Sequence, residues 1–153
     1  MEKISKHISY YEATRSTTAK RLGIENKPND YQLSNMHVVA ENIFEPLRKW
    51  VGGPIRINSF LRVPELNTAV GGSRLSQHCE GRAIDLDDAY GHATNKEMYH
   101  LIKENLDFDQ LIWEFGDDNN PDWVHVSYVS PERNRGRCLR AERIGGKVQY
   151  REI

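Results

Sequence analysis

The sequence lacks a long apolar segment, an excess of charge of either sign, and more than a pair of cysteines. No apolar run in its 153 residues approaches the roughly 20 that a membrane-spanning helix needs, which argues against a membrane partner. The formal net charge of −1 lacks the basic excess typical of nucleic-acid-binding proteins, so nucleic acid is not expected as a partner either. Two cysteines are too few for the disulfide framework of a small secreted domain.

Residues 1–6 lead into no apolar segment of the signal-peptide type, which predicts cytoplasmic synthesis without a signal peptide. A reducing compartment favours free thiols at Cys79 and Cys138, with a disulfide between them as the alternative. The chain length suits one domain over residues 1–153. Nothing in the sequence requires more than a monomer.

The spacing of apolar residues predicts helices and strands in mixed order. Helices are predicted in an N-terminal segment, residues 1–30, and over 31–51 and 95–106, with Pro46 as a kink or boundary. Strands are predicted over 55–60, 83–86, 109–115 and 123–128. This order predicts an α+β fold with a small, mainly antiparallel sheet flanked by helices. The basic C-terminal segment, residues 131–153, is predicted to be a solvated face.

His78 and Asp85 lie seven positions apart, too far for one helical turn. They can converge only if the chain turns between them, and Gly81 permits such a turn. A catalytic zinc typically has three protein ligands and one position open for water. His125 lies in a β-rich run, where a rigid strand would hold a third ligand in place.

These residues form a pattern known from one protein family. The motif Ser76-x-His78-x-x-Gly81-x-Ala83-x-Asp85, followed about forty positions later by Asp122-Trp123-x-His125, resembles the zinc D-alanyl-D-alanine carboxypeptidase and L,D-endopeptidase family. That family includes bacteriophage endolysins and shares its metal site with the hedgehog signalling domain. Residues 58–62 and 66–67 also match its arginine-bearing strand and turn, so the resemblance spans residues 17–128. It implies a hedgehog-like, D-Ala-D-Ala-peptidase-like fold.

The resemblance implies one Zn²⁺ per chain, bound by His78, Asp85 and His125. By motif position it makes Asp122 the general base. Strand alternation alone would point Asp122 away from His125, but Pro121 is expected to break regular pairing and let Asp122 reach the site. Glu114, on the neighbouring predicted strand, is the second candidate for the base.

Substrate contacts are implied by the same resemblance. The guanidinium of Arg62 offers a planar fork for a substrate carboxylate or a developing oxyanion, which gives it both a substrate-binding and a catalytic role. Ser76 and Gln77 are expected to hydrogen-bond the peptide. Cys79 adjoins a predicted ligand but is expected to point away from the metal, and His92 is expected to be structural.

The expected function is zinc-dependent hydrolysis of an amide bond in peptidoglycan peptides, by a carboxypeptidase or an endopeptidase of phage or prophage endolysin type. Such a protein would act on the cell wall after release, or as part of a virion. The alternative is a non-catalytic, zinc-stabilised module that binds cell wall or serves as a structural part of a virion. The arginines of residues 131–153 would in either case face solvent or anionic wall polymers.

Overall fold

The structure, a computed structural model, describes residues 3–153. The chain begins with a small antiparallel hairpin of β1 (Lys3–Ser5) and β2 (Ile8–Ser9). Two short helices follow, α1 (Tyr10–Thr14) and α2 (Thr17–Leu22). The N-terminal segment predicted as helical therefore also carries a hairpin, and residues 1 and 2 of that prediction lie outside the described residues.

The helix predicted over residues 31–51 is one continuous helical stretch with a change of hydrogen bonding inside it. It consists of α3 (Asp30–Val39), a π-helical segment (Ala40–Phe44) and α4 (Glu45–Val51). Pro46 is the second residue of α4, two positions after the π-helical segment ends, and has no N–H to donate to the preceding turn. The boundary predicted at Pro46 is thus a local widening of the helix and not its end.

The main sheet has six strands in the order β3-β4-β6-β5-β7-β8. These strands are β3 (Arg56–Ser59), β4 (Ala83–Asp87), β5 (Gln110–Glu114), β6 (Trp123–Ser127), β7 (Arg137–Ile144) and β8 (Lys147–Glu152). Strands β5 and β7 pair in parallel, and the other neighbours pair antiparallel. Helix α5 (Pro64–Ala69) follows β3, and α6 (Asn95–Asn105) precedes β5. The predicted α+β class with a mainly antiparallel sheet is confirmed, whereas the extent of one domain over 1–153 stays a prediction.

The basic segment 131–153 is not only a solvated face, because it contributes strands β7 and β8 to the sheet. Gly145 and Gly146 join the two strands with φ values of 59° and 80°, the left-handed pair that a two-residue hairpin turn requires. The arginines of this hairpin mostly pair with acids, as in Arg137–Glu152 at 3.0 Å and Arg151–Glu142 at 2.7 Å.

The helices cover one face of the sheet and leave the other face, called the open face below, without helices over it. Alternate side chains of β4, β5 and β6 enter the main core, namely Ile84, Leu86, Leu111, Trp113, Val124 and Val126. The residues between them, including Asp85 and His125, face the opposite side. A small second cluster of Ile112, Leu139 and Ala141 lies on that side. Strand alternation therefore separates the core from the polar face.

Within residues 3–153, no helix combines the length and the apolar character needed to span a bilayer. In the same part of the chain, Cys79 and Cys138 are both free thiols.

Candidate metal centre

His78 lies in a single 3₁₀ turn, Gln77–Glu80, between the loop after α5 and strand β4. The Ser76 hydroxyl caps this turn by accepting a hydrogen bond from the His78 N–H at 3.3 Å. Gly81 ends the turn with a φ of 73°, and a Cβ at this position would lie 2.7 Å from the Gln32 carbonyl oxygen. The predicted role of Gly81 in turning the chain is confirmed: the turn directs His78 back over the strand that carries Asp85.

The His78 ring is buried and oriented by the backbone. Its Nδ1 lies 2.8 Å from the Phe60 carbonyl oxygen, which can only accept, so Nδ1 carries the proton. Its Nε2 is buried and has no hydrogen-bond partner among residues 3–153. A buried imidazole nitrogen without a partner, fixed by a hydrogen bond through the other ring nitrogen, is the arrangement of a metal-ligating histidine.

Asp85 and His125 are brought together by strand register. They are direct partners in the antiparallel pair of β4 and β6, which places their side chains side by side on the open face. One Asp85 carboxylate oxygen, Oδ1, lies 3.0 Å from His125 Nδ1 and 3.3 Å from His78 Nε2. One ligand atom from each of the three residues lies within 4.8 Å of the other two. Two imidazoles and a carboxylate that converge in this way fit the three protein ligands of an open zinc site.

Asp85 is held in the ionised form that a metal ligand needs. Burial alone would raise its pKa, but the neighbouring His78 and His125 rings outweigh burial and hold the pKa well below its usual range. The carboxylate therefore stays charged at neutral pH, and His125 Nδ1 is its hydrogen-bond partner in the structure.

A cavity of about 930 Å³ opens over the three ligands. It is lined by the ligands and by four further residues singled out in the sequence, namely Arg62, Ser76, Gln77 and Glu114. The cavity is large enough for a short peptide, because sites for small molecules commonly measure about 300–1,000 Å³. The structure thus brings all but one of the predicted site residues to the same cavity.

Glu114 is the last residue of β5 and points to the open face beside the ligands. It is the register partner of Trp123 on β6, and only 6% of its surface is exposed. Burial raises the pKa of Glu114 to about 7, with Asp85 adding to the rise and His125 and Arg62 opposing it. A carboxyl group poised near neutrality can exchange a proton at working pH.

Asp122 is the predicted site residue that the structure does not bring to the cavity. Its side chain is exposed and is not part of the cavity lining. Its N–H donates to the Glu114 carbonyl at 2.8 Å, but this bond is one residue outside the β5–β6 register, and strand β6 begins only at Trp123. The side chain of Asp122 therefore lies outside the strand alternation that places His125 on its face of the sheet. Asp122 thus lies in the turn before β6, as expected after Pro121, but its side chain does not line the cavity.

Arg62 reaches the cavity in a fixed orientation. Its Nε donates to Asn67 Oδ1 at 2.9 Å, and its Nη2 donates to the Ser76 hydroxyl at 3.3 Å. Asn67 is 4% exposed, and its own amide donates to the Ser73 carbonyl at 2.8 Å. One buried asparagine therefore connects the guanidinium to the loop that forms the rim of the cavity.

Gln77 is held by a buried carboxylate. Its Nε2 donates to Asp109 Oδ2 at 2.8 Å, and Asp109 also accepts two hydrogen bonds from the Arg135 guanidinium, at 2.9 and 2.7 Å. Burial would raise the pKa of Asp109, but the hydrogen bonds from Arg135 and Gln77 hold it below its ordinary value. The amide oxygen of Gln77 is buried and has no partner among residues 3–153.

His92 and Cys79, which the sequence places near the predicted ligands, do not belong to the ligand cluster. The His92 ring packs on Gly53 and does not line the cavity. Cys79 is outside the three-residue ligand cluster, and burial raises the pKa of its thiol.

Sequence reasoning missed the part of the cavity that the C-terminal hairpin forms. The hairpin residues that line it are Arg137, Leu139, Val148, Tyr150 and Glu152. The signal was present in the adjacent Gly145 and Gly146 between two runs of alternating side chains, a pattern typical of a hairpin. The positioning contacts of Asn67 and Asp109 had no comparable signal.

A family model described as Peptidase M15 matches residues 6–127. A comparison with curated proteins finds no match. The matched range includes the three ligand residues, Glu114 and Arg62, and it ends before strands β7 and β8.

Proposed function

Because the chain belongs to the peptidase M15 family, whose members are zinc-dependent, we propose that it is a zinc peptidase that hydrolyses an amide bond in peptidoglycan peptides. The observation that carries the proposal is the convergence of His78, Asp85 and His125 beneath a cavity that a buried carboxyl group, Glu114, also lines. Family membership supports the peptidase chemistry, and the resemblance to cell-wall peptidases supports the substrate.

The three proposed ligands would hold one zinc ion per chain. The unpartnered Nε2 of His78 and the ionised Asp85 support this assignment, since both need a cation or a donor to offset their burial. A bound zinc ion would polarise the scissile carbonyl, lower the pKa of water from ~15.7 towards 7, and favour the ionised form of Glu114. The backbone carbonyl of Phe60 fixes the His78 ring for this purpose.

Glu114 is the general base that we propose. Its carboxylate would accept a proton from the attacking water and then deliver that proton to the nitrogen of the leaving amine, so that the amide bond breaks without an uncompensated charge. Support comes from its burial beside the ligands and from its pKa of about 7. Asp122 does not line the cavity, which favours Glu114 over it.

Arg62, Ser76 and Gln77 are proposed to bind the peptide. Arg62 has two of its nitrogens engaged by Asn67 and Ser76, which orients the guanidinium for a substrate carboxylate or for the oxyanion that develops on the carbonyl. Gln77 is held through its amide nitrogen by Asp109, so its orientation is set before substrate binds. Preorganised donors of this kind contribute more to the transition state than mobile ones.

The test is the release of new amino termini from purified peptidoglycan by the zinc-loaded protein. We expect release by the wild type, loss after treatment with a chelator, and recovery when zinc is restored. The His125→Ala variant should bind less zinc and release nothing, whereas His92→Ala should behave as the wild type. If zinc binds in a one-to-one ratio and no new amino terminus appears, the peptidase proposal is wrong and a non-catalytic wall-binding module becomes the better explanation.

The product distinguishes the two kinds of peptidase. Release of single D-alanine identifies a carboxypeptidase, whereas cleaved crosslinks or severed stem peptides identify an endopeptidase. We extend the proposal to a phage or prophage endolysin, which resemblance alone supports. In that role the purified protein should reduce the turbidity of bacterial cells whose walls have been made accessible, and failure to do so with an active protein would leave a wall-maintenance role.

A further inference from the structure

The sheet continues past the region that the family model matches, and this continuation forms one side of the cavity. Strand β7 pairs in parallel with β5, the strand that carries Glu114, and β8 pairs with β7. The hairpin therefore extends the main sheet beyond β5. Five side chains of the hairpin line the cavity that contains the proposed metal ligands. The family match ends at residue 127, so it assigns none of them a role.

Strand register places Tyr150 in the same row of side chains as Glu114. Glu114 is the register partner of Ala141 on β7, and Ala141 is in turn the partner of Tyr150 on β8. Neighbouring strands lie about 4.8 Å apart, so the backbones of Glu114 and Tyr150 are separated by roughly 10 Å. The side chain between them is only a methyl group, that of the fully buried Ala141. Two long side chains can therefore lean toward each other across it.

The position of Tyr150 suits a group that contacts substrate. It lines the cavity, yet 57% of its surface is exposed, so the sheet supports the ring without enclosing it. A bound peptide would cover this exposed surface. Burial and the charges of Glu114 and Asp85 raise the pKa of Tyr150, while Arg62 opposes the rise. The phenol is therefore protonated at neutral pH and can donate a hydrogen bond.

We propose that Tyr150 is a substrate-binding residue, whose hydroxyl donates a hydrogen bond to a peptide carbonyl oxygen of the bound substrate. In sheet order, β8 and the strand that leads to Arg62 are at opposite edges, with the ligand-bearing strands β4 and β6 between β3 and β5. The substrate is therefore held from two sides, by Arg62 and by the hairpin. This inference rests on the proposed function for the identity of the substrate, a peptidoglycan peptide.

The test compares Tyr150→Phe with the wild type on muropeptides prepared from purified peptidoglycan with a muramidase. The substitution removes the hydroxyl and keeps the ring, so the zinc content and the melting temperature should not change. One net hydrogen bond corresponds to roughly a two- to tenfold change in binding, and we expect KM to rise about fivefold with little change in kcat. Tyr90→Phe is the matched control, because Tyr90 is also 57% exposed and lies outside the cavity.

A second measurement separates binding from turnover. In the zinc-loaded Glu114→Gln background, the dissociation constant of the same muropeptides, measured by calorimetry, should rise by the same factor when Tyr150→Phe is added. If the wild type cleaves muropeptides and neither KM nor the dissociation constant changes, Tyr150 only supports the sheet and this inference is wrong. If the wild type cleaves nothing while Tyr150→Phe still weakens binding, the peptidase function fails and the binding role of Tyr150 stands.

Discussion

The N–H of Asp122 donates a hydrogen bond to the carbonyl of Glu114 at 2.8 Å, yet only the Glu114 side chain lines the cavity. Glu114 is buried in the cavity over the proposed ligands, whereas Asp122 is exposed to solvent outside it. On the helix side, Asn95 of α6 donates to the Asp122 carbonyl at 3.0 Å, which fixes the backbone there. The contrast between these two acids provides a test of the catalytic base within one molecule.

Replacing Glu114 with Gln should abolish activity and leave zinc binding intact. The amide keeps the size of the side chain but cannot accept the proton that a general base takes from water. General acid–base catalysis typically contributes 10²- to 10⁴-fold, so we expect kcat to fall by roughly 10³-fold. Steady-state kinetics on muropeptides and zinc content by atomic absorption measure the two effects separately.

Asp122→Asn is the matched control for this experiment. It makes the same chemical change in the turn before the adjacent strand β6, and we expect kcat to stay within about twofold of the wild type, because surface substitutions rarely disturb a site. A large loss of activity in Asp122→Asn, with full activity in Glu114→Gln, would restore the assignment expected from motif position.

Removal of zinc should lower the thermal stability of the protein. A ligand that binds only the folded state at 1,000 times its dissociation constant adds about 4 kcal/mol of stability. For a chain of this size, that corresponds to roughly 10 °C in Tm. Calorimetry with and without a chelator measures the shift. The same chelator should leave the Tm of His125→Ala nearly unchanged, and an equal shift in both proteins would place the stabilising metal elsewhere.

Two local rules explain why His78, Asp85 and His125 converge, whereas their assignment as zinc ligands came from the family resemblance. A left-handed turn at Gly81 returns His78 over β4, and strand alternation with cross-strand pairing brings Asp85 and His125 to one face. The preference for Asp122 over Glu114 could not be settled in the same way. It depended on where regular pairing begins after Pro121, and the register that starts at Trp123 forms only once β5 and β6 are side by side.

The C-terminal hairpin could not be predicted from the sequence for a different reason. Its arginines predicted a solvated surface, and that composition obscured the alternation between them. In the fold, Arg140 lies over the Trp113 ring with its guanidinium carbon 5.8 Å from the ring centre, and its Nη1 also pairs with Asp118 at 2.6 Å. Long arginine side chains thus cover apolar surface with their stems and keep the charge near solvent or a partner. Such tertiary pairing is not visible in the order of residues.

The buried carboxylate of Asp109 should make stability fall in acid. Its folded-state pKa is held below the ordinary value, so the stability that it contributes is fully present above the unfolded pKa of about 3.9. That contribution is lost as the pH falls through the lowered folded value. We expect Asp109→Asn to cost about 2 kcal/mol at pH 7, as for hydrogen bonds to a charged group, and the difference from wild type to shrink below about pH 4.

Urea unfolding of both proteins from pH 7 to pH 3, in the presence of chelator, measures this difference without the titration of bound metal. Asp85 also has a lowered pKa and is present in both proteins, so its contribution cancels. A difference between wild type and Asp109→Asn that stays constant down to pH 3 would show that folding does not lower the pKa of Asp109.

A side chain at Gly81 should damage the fold and the metal site together. Alanine there would have both an unfavourable φ of 73° and a Cβ 2.7 Å from the Gln32 carbonyl oxygen. Gly91 has a similar φ of 77°, and a Cβ placed there would meet no atom within 4 Å, so Gly91→Ala isolates the backbone cost of about 1 kcal/mol. We expect Gly81→Ala to cost about 3 kcal/mol in urea unfolding and to weaken zinc binding. If both substitutions lower the free energy of unfolding by the same amount, a clash of the Cβ with the Gln32 carbonyl oxygen does not contribute at Gly81.

Asn67 should act on the substrate mainly through Arg62. Its Oδ1 accepts from Arg62 Nε, so Asn67→Ala frees the guanidinium to rotate, and we expect KM to rise roughly fivefold, as for one lost hydrogen bond to a charged group. Loss of the bond to the Ser73 carbonyl would loosen the rim of the cavity as well. The double-mutant cycle with Arg62→Ala separates the two effects. If Asn67 only orients Arg62, the substitution has no further effect on KM once Arg62 is absent; if the fivefold rise persists in that background, the loop and not the guanidinium transmits it.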